Sequence, residues 1–513
     1  WLVGMTAGFP RQVCSAADAV ALIPDNATVA CSGFIGAGHP ELLTCELERR
    51  FLQTGTPSEL TLVYAAGQGD GHSRGLNRLA HKRLLKRVIG GHWGLAPRLG
   101  ELALNGDIEA WNLPQGVICQ LFRDIAAGRP GCISRIGIGT FIDPLHDGGR
   151  LNSRSTEQLV ERVTLAGQTW LLYRAFPIHV ALLRATAADC CGNLLMDQEA
   201  VIGDVLGLAQ AARNSGGIVL AQVQSLLDRP APPQHVKVPG KLVDRIVLAP
   251  PEAHWQTFAE SCNPDYFSPA DPLQPPLPDP NESLEPARRI IAERACLELR
   301  PGSICNLGIG LPEGIATVAA ERGLLQQVTL TLESGPIGGL PAGGLSFGAA
   351  RFPEAVIDSA AQFDFYDGGG LDFAALGAAE VDACGNVNVS RFKHRFAGVG
   401  GFVNISQSAR RLVFCGTLTA GGLRLQRHNG QLQIQQEGSI RKFVHHVEQI
   451  SFSGLQARQQ AQDVLYITER AVFRLQPDGL ELLELAPGIE LERDLLSQMD
   501  FRPIIRSVSP MPI

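Results

Sequence analysis

Short apolar runs of strand length recur along the chain, each closed by turn residues, with helix-length segments between them. Residues 60–67 read L-T-L-V-Y-A-A-G and residues 328–335 read V-T-L-T-L-E-S-G, two strands ending in small residues, one of which carries Glu333. Residues 314–323, G-I-A-T-V-A-A-E-R-G, have the apolar spacing of a helix and sit between strands. Strand, helix and strand in succession predict βαβ units and a mainly parallel sheet. A further strand is predicted at 402–406, entered through the basic, glycine-rich stretch R-F-K-H-R-F-A-G-V-G-G, whose Lys393, Arg395 and amides could grip a phosphate or an oxyanion.

The pattern occurs twice. G-A-G-H-P-E at 36–41 precedes the strand 60–67, as G-I-G-L-P-E at 308–313 precedes the strand 328–335, and D-C-C-G-N at 189–193 answers D-A-C-G-N at 382–386. Between the halves, residues 262–286 hold eight prolines and no helix or strand period, which predicts an extended linker. The expected organisation is two related α/β domains in tandem, 5–261 and 287–513, joined by 262–286. The first carries an insertion around 70–185, about 75 residues beyond its counterpart, as a substrate lid or a subunit contact. Trp1 to Gly4, before Met5, carry no inference.

At 513 residues, 45% hydrophobic and 19% charged, the composition is that of globular domains. A net charge of -7 supplies no broad basic field for nucleic acid or anionic membrane. The apolar runs are too short to span a membrane and the start lacks signal-peptide character, so a cytoplasmic location is expected. Twelve cysteines without a CxxC spacing read as reduced thiols.

Glu333 is the strongest chemical candidate. It stands at the end of a strand, where ligands of α/β sheets bind, and is followed by Gly335, Gly338, Gly339, Gly343 and Gly344. Glycines let backbone N–H groups approach a reacting carboxylate. The repeat sharpens the choice, because Ala65 fills the equivalent place in the first half. A turn cap or ion pair is the plainer role for such a glutamate. A dinucleotide fingerprint at 308–314 fails on spacing, since Gly308, Gly310 and Gly314 give GxGxxxG with Pro312 inside the turn. No serine triad motif, P-loop or H-E-x-x-H is present. The Asp-x-Cys-Gly-Asn pairs read as turns, and His445-His446, on an ordinary helix or strand face, lack metal partners; no metal is expected.

At these residues the chain resembles the family I CoA-transferases of the long single-chain acetate or propionate type. The matching segments include S-G-F-I-G-A-G-H-P at 32–40, H-V-K-V-P-G at 235–240, the glutamate loop, F-D-F-Y-D-G-G-G-L-D at 363–372 and G-V-G-G-F-V-N-I-S at 398–406. F-C-G-T-L-T-A-G-G at 414–422, V-E-Q-I-S-F-S-G at 447–454 and V-L-Y-I-T-E-R at 464–470 continue the order. The resemblance implies the CoA-transferase (NagB/RpiA-like) fold and a ping-pong transfer of CoA between a short-chain acyl-CoA and a free acid such as acetate, propionate, butyrate or a 3-oxo acid. Glu333 is the implied nucleophile. Gly308, Ile309, Gly310 and Leu311 are expected to line CoA, Gly401 to face the thioester oxygen with Gly400 in the same oxyanion and CoA-binding set, and Gly36, Ala37 and Gly38 to close over the acyl acceptor. Coenzyme A is then substrate and covalent intermediate with no resident cofactor, and the assembly a homodimer or homotetramer. Pro336, after Ser334 and Gly335, departs from the family pattern and is expected to reshape the acyl pocket. An acyl-CoA hydrolase and a non-catalytic CoA- or dinucleotide-binding protein are the alternatives.

Overall fold

The computed structural model describes residues 12–271 and 284–513. Residues 1–11, Trp1 to Met5 among them, and 272–283, the middle of the proline-rich linker, lie outside them. Two large sheets form, each with strands from one half of the chain. In the first half, β1 (Thr28–Cys31), β2 (Leu60–Tyr64), β3 (Leu85–Gly90), β4 (Glu109–Asn112), β5 (Val180–Ala188), β6 (Ile218–Leu226) and β7 (Arg245–Leu248) lie in the order β7-β6-β5-β1-β2-β3-β4. All the neighbouring pairs are parallel. In the second half, β8 (Ile304–Leu307), β9 (Thr329–Thr331), β10 (Phe373–Gly377), β11 (Arg411–Cys415) and β12 (Asp463–Ile467) lie in the order β12-β11-β10-β8-β9, again parallel. Reading across each sheet, β7-β6-β5-β1-β2 corresponds to β12-β11-β10-β8-β9, so the repeat read in the sequence is a repeat of the fold.

Burial explains the pattern. Every residue of β1, β2 and β5 is buried, as expected for parallel strands covered on both faces by helices. Among the covering helices, α1 (Gln115–Ala126) buries Val117, Ile118, Leu121, Phe122 and Ile125 along one stripe. It packs against α2 (Ser359–Asp367) of the other half, and one hydrophobic core runs through both halves.

The predicted insertion divides into two structures. Its strands β3 and β4 widen the first sheet, and Gly131–Ser134, Val160–Leu165 and Gln168–Arg174 form a separate three-stranded antiparallel sheet. Residues 402–406 are not a strand: Phe402–Ser408 is a helix, α3, with Gly401 as its N-cap. Gly400, at φ 52°, breaks the extended path ahead of it. A short run that is buried on every side has no period to separate helix from strand. His445 and His446 lie in an exposed bend rather than on a helix or strand.

Both Asp-x-Cys-Gly-Asn segments are turns. Asp189 accepts from the N–H groups of Cys191 and Asn193, and Asp382 from those of Cys384 and Asn386. Among the described residues no group of three His, Cys, Asp or Glu side chains is placed to hold a metal, and no helix is long and apolar enough to cross a membrane.

Candidate active site

Beyond β9 the chain reverses sharply. The Leu332 N–H donates to the Pro336 carbonyl and the Gly335 N–H to the Leu332 carbonyl, which leaves Glu333 and Ser334 at the corner. Gly335 has φ 123°, and a Cβ there would lie 2.0 Å from the Ile357 oxygen, so this corner requires glycine. Pro336 stands behind the turn in a short strand with Ile337 and is not on the cavity wall.

Glu333 faces a cavity of about 310 Å³ where the two halves meet. Its walls are mostly apolar, with Phe34, Ile35 and Leu95 from the first half and Phe347, Leu376, Val389 and Ile405 from the second. Burial raises the Glu333 pKa above that of an ordinary carboxyl; its own backbone N–H and Asn306 oppose the rise. Asn306 Nδ2 donates to Glu333 Oε2 at 3.3 Å. A carboxylate so poorly solvated and so weakly paired is a better nucleophile than one in water.

The seam beside it is built from backbone. Trp93 and Gly94 N–H groups both donate to the Ala397 carbonyl at 2.8 Å, Gly400 N–H to Gly91 at 2.7 Å, and Gln115 N–H to Gly400 at 2.9 Å. These bonds fix Gly401 against the nucleophile: a Cβ on Gly401 would come 3.3 Å from Glu333 Cγ. Among the described residues the Gly401 N–H has no acceptor, so it is available to an oxyanion.

The candidates from sequence divide accordingly. Glu333, Gly308, Ile309, Gly400 and Gly401 line the cavity. The amides of Gly308 and Gly400 are already engaged, by Ala375 and Gly91, whereas those of Ile309 and Gly310 meet no acceptor among the described residues. Ile309 is 54% exposed at the mouth, with Gly310 beside it, and Leu311 turns inward against the second-half core. Gly36, Ala37 and Gly38 lie behind the wall, not on it; a Cβ on Gly36 would meet Phe258 N at 2.3 Å. Phe34 and Ile35 of the same loop face the cavity instead.

Sequence reasoning missed His92, Gln115 and Asn306. His92 sits at the carboxyl end of β3 between glycines, the same signal that singled out Glu333. Burial, with Arg395 adding to it, lowers its pKa to about 4, so the imidazole is neutral at physiological pH, and its buried Nδ1 has no partner among the described residues. Lys393 and Arg395 are exposed, and the Arg395 guanidinium lies against Gly94.

The geometry has close counterparts. The family model described as Coenzyme A transferase matches residues 13–249. The acetate CoA-transferase YdiF of Escherichia coli K12 is 43% identical over 96% of this chain and 92% of its own length. The caffeate CoA-transferase of Acetobacterium woodii is 41% identical over 96% of this chain and 94% of its own. The crystal structure of acyl-CoA transferase YdiF from Escherichia coli O157:H7 superposes with a TM-score of 0.92 at 40% identity, covering 99% of this chain and 96% of that one. Its thioester complex with CoA superposes with a TM-score of 0.90. With two related α/β domains, a carboxylate at their seam and this identity along nearly its whole length, the chain belongs to the coenzyme A transferase family.

Proposed function

We propose that the chain moves CoA between a short-chain acyl-CoA and a free carboxylic acid, with Glu333 as the covalent nucleophile. The Glu333 carboxylate attacks the thioester carbonyl; the carbon–sulfur bond breaks, giving a glutamyl acyl anhydride and CoA thiolate. The thiolate attacks the glutamyl carbonyl, which forms glutamyl-CoA thioester and releases the first acid as carboxylate. A second carboxylate reverses both steps. No proton is gained or lost, and the energy of the thioester is held first in the acyl anhydride and then in the glutamyl thioester rather than lost to water.

The observation that carries this reading is a desolvated carboxylate at the edge of an apolar cavity, with the free Gly401 amide beside it. That amide is assigned to the tetrahedral oxyanion. Ile309 and Gly310, at the mouth, are assigned to CoA. Phe34, Ile35 and the other apolar walls leave room for a short acyl chain such as acetyl, propionyl or butyryl. The limits 5–261 and 287–513 are proposed for the two domains, since each large sheet is complete within one of them. Twelve free thiols fit a reducing compartment, for which we propose the cytoplasm, with a homodimer or homotetramer as the working assembly.

The test compares acyl-CoA consumed with and without acetate. A transferase forms acetyl-CoA only when acetate is present and releases little free CoA without it. Steady release of free CoA in the absence of any acid would instead identify a hydrolase.

A further inference from the structure

The helix beneath the nucleophile contains an unexplained buried amide. On α2, Ser359, Gln362, Phe363 and Tyr366 share one buried face, a turn apart. The two outer residues grip the chain on either side of Glu333: Ser359 Oγ donates to the Ser334 carbonyl, and Tyr366 Oη donates to Thr331 Oγ1 at 2.8 Å. Gln362, between them, is therefore alongside the segment that carries Glu333. It is 0% exposed, and among the described residues neither its Nε2 nor its Oε1 has a hydrogen-bond partner. Asn306 is complementary, because its Nδ2 donates to Thr331 O and to Glu333 while its Oδ1 accepts from no group among the described residues. Both amides approach the Tyr366 hydroxyl, each in a geometry short of a hydrogen bond.

An orphaned buried amide is costly, because it gives up its hydrogen bonds to water and regains none in the fold. Retaining one directly under a nucleophile makes sense if its bond is formed during the reaction rather than before it. Resting on the glutamyl-CoA reading above, we propose that Gln362 is a positioning residue for the covalent intermediates. Its Nε2–H bonds to Asn306 Oδ1, aligning Asn306 Nδ2–H on the Glu333 oxygen as charge develops there. Two of the four tetrahedral intermediates have their oxyanion on the Glu333 carboxyl carbon itself: one forms when thiolate attacks the anhydride, the other when the incoming acid attacks the thioester. Gly401 serves the acyl side, and the Gln362–Asn306 chain serves the glutamyl side. Electrons and protons stay as in the scheme above, since the chain orients a donor and transfers nothing.

Gln362→Met keeps the side-chain length and removes the amide. The rate of protein–CoA adduct formation, followed by rapid quench with acetyl-CoA, is expected to fall about tenfold, the equivalent of one neutral hydrogen bond. The kcat falls with it, KM for acetyl-CoA stays within about twofold, and Tm is unchanged or higher because an unpaired polar group has left the core. Gln362→Leu is the second variant and is expected to behave alike. Unchanged adduct formation in folded variants overturns the inference while leaving the Glu333 reading intact. Parallel loss of Tm and rate in both variants also overturns it, as a packing role. A wild-type enzyme that forms no adduct removes the Glu333 reading and, with it, this inference.

Discussion

Strands β2 and β9 hold the same place in their sheets: Thr61 pairs with Thr28 on β1 as Thr329 pairs with Ile304 on β8. Their carboxyl ends lead in different directions. After β2 the chain runs on through Ala65 and Gly67 as wall; the Ala65 carbonyl lies against Gly91, and the Gly67 carbonyl accepts from Ile35 N–H. After β9 it reverses at Gly335 and presents Glu333 to the cavity. The duplicated frame thus supplies two strand ends facing one seam, and a single tight turn decides which of them performs chemistry.

The largest effect is expected from exchanging the two ends. Glu333→Ala should lower CoA exchange by at least about 10⁴-fold, as loss of a covalent nucleophile does. Adding Ala65→Glu to it should restore nothing, because Ala65 is a buried part of the wall and not on the cavity lining. Exchange assays on the single and double variants check this. Recovery in the double variant would make the two halves interchangeable and break the comparison.

Glycines at the seam should separate along the same line. Gly401→Ala places a methyl against Glu333 and Phe363, and kcat should fall on the order of 10²-fold with the fold intact. Gly91→Ala drives a Cβ to 2.0 Å from the Ala65 oxygen, and its chief effect should be a lowered Tm. Steady-state kinetics and thermal melts on the pair distinguish the two roles.

Acidity gives a smaller, signed effect. Glu333 reacts as carboxylate, and burial raises its pKa, so kcat/KM should fall as pH drops through a value above the roughly 4.3 of a free glutamate. Asn306→Ala removes a contact that lowers this pKa, moving the acidic limb to higher pH. For stability, a raised folded pKa favours the folded form most below the unfolded value, and that contribution is lost as pH rises through the folded one. At neutral pH the ionised Glu333 is therefore a cost, and Glu333→Gln should melt no lower than wild type.

The smallest effect concerns what the halves share. Asp189→Ala and Asp382→Ala each remove equivalent turn bonds and should each cost about 1–3 kcal/mol of stability. Denaturant unfolding should give similar values for both, with exchange activity retained.

Much of this was legible in the sequence because it rests on local chemistry. Strand runs, the repeated turns, the glycines behind Glu333 and the missing acid at Ala65 can all be read residue by residue. The cavity lining is different, since it depends on register between segments about 300 residues apart: Trp93 and Gly94 bonded to Ala397, Gln115 to Gly400. No pattern within either segment states that pairing, so nothing local marks Gln115 as cavity lining or places Phe34 and Ile35, rather than the Gly36–Gly38 turn, on the wall. At Phe402–Ser408 the obstacle is local, because the buried run Phe402–Ser406 is too short to carry a period that separates helix from strand.

The central claim is a single covalent carboxylate, and intact-mass measurement after incubation with acyl-CoA and no acceptor acid tests it most directly. The wild-type chain should gain the mass of one CoA less one water, located at Glu333 by peptide mapping, and Glu333→Ala should gain nothing. An adduct on Glu333→Ala, or a fully active wild type that never carries CoA, would contradict the account.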